Sequence, residues 1–229
     1  MSLEKIMQRA DIWRGDQLPL TNERNSLSTG FPDLDAVLPG GGWPQGTLTE
    51  ILTPREGAGA LSVIMPALAH LSQSKRWLAW VAPPYIPYAP AMQSAGVDLS
   101  RVLLVHPRAT VDGLWAVEQA LRSGTCGAVL AWLTGGESNT LRRLQLAAEA
   151  GNSWGILFRP EHAAQQASPA AVRLKLRPAV RGIDINIIKR RGGWATGPLH
   201  LEVDRAMAMS SSTPASAGCV HSRYANRTN

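Results

Sequence analysis

The residues with the strongest claim to chemistry lie between Thr53 and Ser62, where the chain reads Thr-Pro-Arg-Glu-Gly-Ala-Gly-Ala-Leu-Ser. A phosphate-binding loop of the pattern G-x-x-x-x-G-K-[ST] occupies this kind of place, directly after an apolar strand. Its glycines let backbone amides close on phosphate, its lysine meets the β- and γ-phosphates, and its hydroxyl holds magnesium. Threaded without a gap, Gly59 falls where the lysine belongs and Ala60 where the hydroxyl belongs. A shift of one residue puts Ala60 and Leu61 there instead. Neither register supplies a cation or a magnesium ligand. Thr53, Pro54, Gly57, Gly59 and Ala60 therefore read as a degenerate nucleotide loop, a phosphate loop in shape only.

A second group of residues could bind rather than react. From Arg173 to Arg191 seven basic residues face one acid, Asp184. Within that run Lys189, Arg190 and Arg191 are candidate contacts for phosphate, DNA or an acidic protein, and Arg108 joins them because it follows a strand's carboxyl end. A solvated strand face is the plainer reading of the same charges. Trp13, Trp43 and Trp194 sit in polar or Gly-rich surroundings and are candidate partner anchors, since tryptophan and arginine dominate binding hot spots. The five histidines and two cysteines show no metal-ligand spacing, and no G-x-S-x-G elbow orders a nucleophile. No catalytic residue, metal or cofactor is expected.

The elements that position these residues follow from length and patterning. With 229 residues, 45% apolar and 17% charged, the chain supports one sizeable core and is not disordered throughout. The formal net charge is +6. No run reaches the length of a membrane span, no secretory signal is read at Met1–Lys5, and Cys126 and Cys219 cannot form a disulfide framework, so a cytoplasmic protein is expected. Residues 1–26 read as a polar N-terminal arm, 27–204 as the folded domain, and the Ser/Ala/Thr-rich 205–229 as a disordered tail. Strands are expected at Leu48–Leu52, Trp77–Ala82, Val102–His106, Ala128–Leu133 and Gly155–Phe158, each nearly continuously apolar as buried parallel strands are. Helical spacing is read through Leu61–Leu71, Leu114–Leu121 and Leu141–Ala148, with Pro66 marking a kink or first turn. After Ser168 the period falls to two, predicting an antiparallel hairpin from Val172–Leu176 and Ile183–Ile187, with His200–Val203 as a last strand.

The stretch from Leu27 to Leu52 resembles the entrance to the RecA/RadA core. Ser28, Thr29, Gly30, Leu34, Asp35, Gly41, Gly42, Pro44, Gly46 and Glu50 match in order. The resemblance implies an α/β fold, a RecA-like core with a mainly parallel sheet flanked by helices and ending in an antiparallel hairpin. It also implies where a catalytic acid and a magnesium aspartate would stand. Pro83-Pro84 occupies the first place and Trp132 lies at the second, so ATP hydrolysis is not expected. Lys189 and Arg191 match the spacing of a basic pair that, in that family, reaches a neighbouring protomer.

The middle of the chain resembles two bacterial damage-response families. Arg76–Pro84, Ala95–Val97, Arg101–Arg108, Ala120–Gly124 and Val129–Leu133 are similar to segments of both the SulA-type division inhibitors and the ImuA proteins. SulA-like chains are generally shorter and lack the full entrance and the basic hairpin Lys189–Gly193, both present here. With Tyr85–Pro90, Leu141–Gly151 and Leu157–Pro160, which look like ImuA, the chain is identified as a member of that family. That resemblance implies a non-catalytic adaptor of SOS-induced translesion synthesis. Its implied partners are an ImuB-like Y-family polymerase homologue, an error-prone C-family DNA polymerase and RecA, with DNA contacted through the basic hairpin. The SulA resemblance implies the alternative, a cell division inhibitor that binds FtsZ and blocks its assembly.

Overall fold

In the computed structural model, residues 26–56, 59–133, 135, 138–192 and 196–203 are described. The calls made on residues 1–25 and 204–229, including Trp13, and on Gly57 and Trp194 lie outside the described residues. Among the described residues there are ten strands and five α-helices. They are β1 (Ser26–Leu27), α1 (Pro32–Val37), β2 (Trp43–Pro44), β3 (Leu48–Thr53), α2 (Ala60–Gln73), β4 (Trp77–Val81), α3 (Ala89–Ser94) and β5 (Val102–Val105). The second half adds α4 (Thr110–Arg122), β6 (Cys126–Trp132), α5 (Ser138–Gly151), β7 (Trp154–Pro160), β8 (Val172–Ala179), β9 (Gly182–Arg190) and β10 (Thr196–Leu201).

Eight strands form one sheet in the order β10-β9-β8-β3-β7-β6-β4-β5. Pairings from β8 through β3 to β5 are parallel, whereas β8 with β9 and β9 with β10 are antiparallel. The sheet is therefore mixed, and a separate antiparallel ladder joins β1 to β2. The expectation of a RecA-like core with a mainly parallel sheet is corrected accordingly. Its side beyond β3 is built by a three-strand meander that the period-two alternation of Val172–Arg177 dictates. One face of that meander is buried and the other carries cations, a pattern suited to antiparallel strands.

Two apolar layers cover the sheet. On one face α2 packs through Val63, Ile64 and Leu68 against Ile51, Leu78, Trp80 and Leu130. On the other, α4 and α5 bring Val117, Leu121, Leu141 and Leu144 against Leu48, Ala79, Val129 and Leu157. Pro66 lies well inside α2 rather than in its first turn. A Cβ added to Gly30, which has a φ of +84°, would come within 2.6 Å of the Pro66 ring, so this turn needs glycine both for its backbone and for space. Near the other face Gly151 packs so closely on Leu121 that a Cβ would meet its carbonyl oxygen at 1.9 Å. That close approach of α5 to α4 sets their spacing.

Trp43 is corrected as a partner anchor. It is fully buried and stacks on Trp154 at 5.2 Å between ring centroids. Trp154 in turn donates its indole N–H to Thr49 Oγ1 at 2.9 Å. The glycines around Trp43 suggested an open loop, but they let the loop fold tightly enough to drive the ring inward. We predict that Trp43→Ala lowers unfolding free energy by about 3–5 kcal/mol, as a large core truncation does. Trp115→Ala, at a position 63% exposed, should stay within about 0.5 kcal/mol of wild type. Urea melts of the two variants check both values.

Candidate functional site

The carboxyl ends of β3, β4, β6 and β7 open into one groove of about 230 Å³. Ligands of open α/β sheets bind at this edge. The groove is lined by an aromatic stack running from Trp80 through Trp132 to Phe158, with centroid separations of 5.8 and 4.5 Å. Met65 of α2 and Met92 of α3 close its sides. Over it runs the segment Pro83-Pro84-Tyr85-Ile86-Pro87-Tyr88. Its three prolines hold that segment off helical geometry. Ile86 is 77% and Tyr88 58% exposed, so an apolar crest stands in solvent beside an apolar groove.

Beneath the β3 and β7 side of this groove lies the most highly charged part of the interior. Glu50, fully buried on β3, accepts from Arg159 Nη1 at 3.0 Å and from Arg173 Nε at 2.7 Å. The Ser168 hydroxyl donates to the same carboxylate at 2.7 Å. Arg173 also donates to the carbonyls of Ala163, Ala164 and Gln166, and Arg159 donates to Gln166 Oε1 at 2.7 Å. A buried carboxylate is tolerable only with such complete pairing. Two guanidinium groups face one carboxylate here, and Lys189 lies near enough to feel both signs. Burial, reinforced by the Arg173 charge, holds the Lys189 ammonium below the usual lysine range.

The residues singled out by sequence fall into three places. Thr53, Pro54, Gly59 and Ala60 line the apolar groove, where Gly59 turns into α2 with a φ of +77°. The degenerate-nucleotide-loop argument is not carried forward, because the groove these residues border is walled chiefly by aromatic and aliphatic side chains, with Arg55, Glu56 and Arg159 as its charged members. Lys189 donates to the Ser168 carbonyl at 2.7 Å, and Arg190 donates to the Val37 carbonyl. Both cations therefore tie β9 to neighbouring segments. Arg191 and Arg108 are exposed and do not join the groove.

Sequence reasoning missed two features. Arg173 was counted with a solvated face, yet it is buried against Glu50. Its signal was the single matched acid on β3, which needs a buried cation. The groove was missed because Pro83–Tyr88 has no period to read, although three prolines among exposed aromatics mark a rigid binding edge.

The domain thus presents an apolar groove beside an exposed aromatic crest, with the Glu50 ion pairs buried beneath. Sequence comparison shows which family it falls in. Residues 46–155 match the family described as "Cell division inhibitor SulA". A SulA of Pectobacterium atrosepticum is 33% identical over 57% of this chain and 79% of its own. One from Pectobacterium carotovorum is 34% identical over 51% of this chain and 70% of its own. The crystal structure of SulA from Pseudomonas aeruginosa is 27% identical, with a TM-score of 0.42 over 49% of this chain and 97% of that one. The chain belongs to the SulA family.

This membership corrects the assignment to ImuA and to a RecA-like, P-loop-type fold, and with it the translesion-synthesis role. It removes the ImuB-like homologue, the C-family polymerase and RecA as partners. DNA contact through the hairpin falls with them, and the bonds of Lys189 and Arg190 give the physical reason. The relatives are named for inhibiting division and not for a catalysed reaction. Among the described residues no helix is long and apolar enough to cross a membrane.

Glu50→Gln keeps the shape and removes the charge that two buried arginines share. Breaking a buried pair in this way costs about 3–5 kcal/mol, and the urea midpoint should fall accordingly. A midpoint equal to wild type would show that the cluster adds nothing to stability.

Proposed function

We propose that the chain is a cytoplasmic cell division inhibitor of the bacterial damage response, which binds FtsZ and blocks its assembly without catalysing a reaction. The observation that carries this reading is the 33% identity across 79% of a relative named as a division inhibitor. The groove supports it physically. An inhibitor that acts by occupying a partner needs bare apolar surface, and contiguous exposed apolar patches on a folded domain mark interaction sites. Tyr85, Ile86 and Tyr88 supply it, held by prolines so that little chain entropy is lost on docking. Thr53, Pro54, Gly59 and Ala60 serve as the groove's far wall. Arg108 and Arg191, the exposed members of the basic set, are offered to an acidic partner. Residues 27–204 are taken as the unit that carries the activity, and the crest rather than any tryptophan outside the core is its anchor.

Light scattering of purified FtsZ with GTP tests this directly. Equimolar chain should depress the assembly plateau, and Ile86→Asp should restore most of it. An assembly curve unchanged by excess chain would discard the reading. Expression in cells should give filaments, and the Ile86→Asp chain should give far fewer at the same protein level.

A further inference from the structure

A second bare apolar surface lies at the margin of the sheet. Among the described residues β5 is the outermost strand of the sheet and pairs with β4 alone. The register sets Ala79 opposite Leu103 and Trp80 opposite Leu104, so the two leucines point to opposite faces. Strands in a parallel sheet are ordinarily covered on both faces. Here Leu103 is 48% and Leu104 40% exposed, so both helical layers stop short of this strand. Edge strands are blunted by shortness, an inward charge, a proline or a bulge; β5 is short, with four residues, but no charge, proline or bulge interrupts Val102-Leu-Leu-Val105. α4, which belongs to the helical layer on the Ala79 face, itself carries exposed Val111 and Trp115.

Charge brackets this strand. Arg101 precedes it, with its guanidinium 5.5 Å from the Trp77 ring, and exposed His106 and Arg108 follow it. The nearest acids in sequence are Asp98, whose carboxylate is engaged by Ser100, and Asp112 in the first turn of α4. A second copy laid antiparallel on this edge would bring Arg101 towards the His106–Arg108 end of its mate, and like charges across a ladder repel. An extended segment with acids at its ends meets no such penalty. The edge is also continuous with the groove. Val81 lies opposite Val105, so the proline crest leaves β4 beside the carboxyl end of β5.

We propose that β5 is a strand-addition site, which takes an extended, apolar segment of a protein partner flanked by acidic residues. Outward N–H and C=O groups of Val102–Val105 supply the ladder. Leu103 and Leu104 cover the added strand's side chains on both faces, and Arg101 and Arg108 pair with its acidic ends. The partner's identity as FtsZ rests on the function proposed above. The mode of docking is what this inference adds.

Purified FtsZ is the probe. Hydrogen–deuterium exchange of the wild-type complex should show slowed amides at 102–105, and calorimetry should show binding weakened about tenfold or more by Leu103→Glu with Leu104→Glu. Arg101→Glu with Arg108→Glu should weaken binding and flatten its salt dependence. Leu146→Glu, at an exposed apolar position on α5, should bind as wild type. Should a leucine variant fail to fold, the exchange result on unaltered chain still decides. Wild-type binding with unprotected 102–105 amides overturns strand addition and leaves FtsZ as partner. No wild-type binding overturns both. Self-association that Leu103→Glu abolishes overturns the acidic segment in favour of a second copy.

Discussion

One buried carboxylate organises the interior. Glu50 sits on β3, between β7 and β8, and its two arginines come one from each neighbour. A one-residue slip of either flanking strand would turn its arginine to the opposite face and leave the charge unpaired, at a cost of several kcal/mol. The register of three strands is thus fixed by two ion pairs. Arg173 then reaches on to three carbonyls of the segment Ala163–Gln166 and pins it over the sheet. Because β3 and β7 both end at the groove, the same pairing sets where its walls stand.

This cluster separates the two halves of the sheet in character. Towards β5 the strands are parallel and nearly all apolar, enclosed by α2 on one side and α4 and α5 on the other. Towards β10 the meander has one polar face, on which Lys175 and Arg177 share Glu161 at 2.9 and 2.7 Å. Those two cations hold the Glu161 carboxyl below the usual carboxylate range, Arg177 first and Lys175 second. The positive charge that looked like an offer to nucleic acid is thus partly spent inside the molecule. What remains open is apolar surface on the other half, at the groove, the proline crest and the margin strand.

Much of the fold was legible because buried strands are written as apolar runs. All five strands read from apolar runs, from β3 to β7, lie within two residues of their expected ends at each side, and the hairpin showed in its alternation. Strand context was legible less well. Alternation placed Arg173 outward, since period two says which residues share a face and not what covers that face. Trp43 was read from its neighbours, yet glycine-rich surroundings permit a tight inward fold as readily as an open loop. The family was misjudged for a related reason. Segments such as Arg76–Pro84 and Arg101–Arg108 are core strands and their ends, shared by relatives of different function. The choice between those relatives turned on Tyr85–Pro90, Leu141–Gly151 and Leu157–Pro160 with the entrance and the basic hairpin. Tyr85–Tyr88 is largely exposed, and α5 and β7 carry the generic apolar pattern of a core helix and strand.

The surfaces left bare are those the proposed inhibitor would use, and of the ionic cluster only Arg159 borders the groove, its charge held by Glu50. Sedimentation velocity of the chain mixed with purified FtsZ is the most direct measure of this account. A discrete complex that replaces FtsZ polymers, in proportion to the chain added, is the predicted result. FtsZ polymers sedimenting unchanged, with the chain remaining free at every ratio, would contradict it.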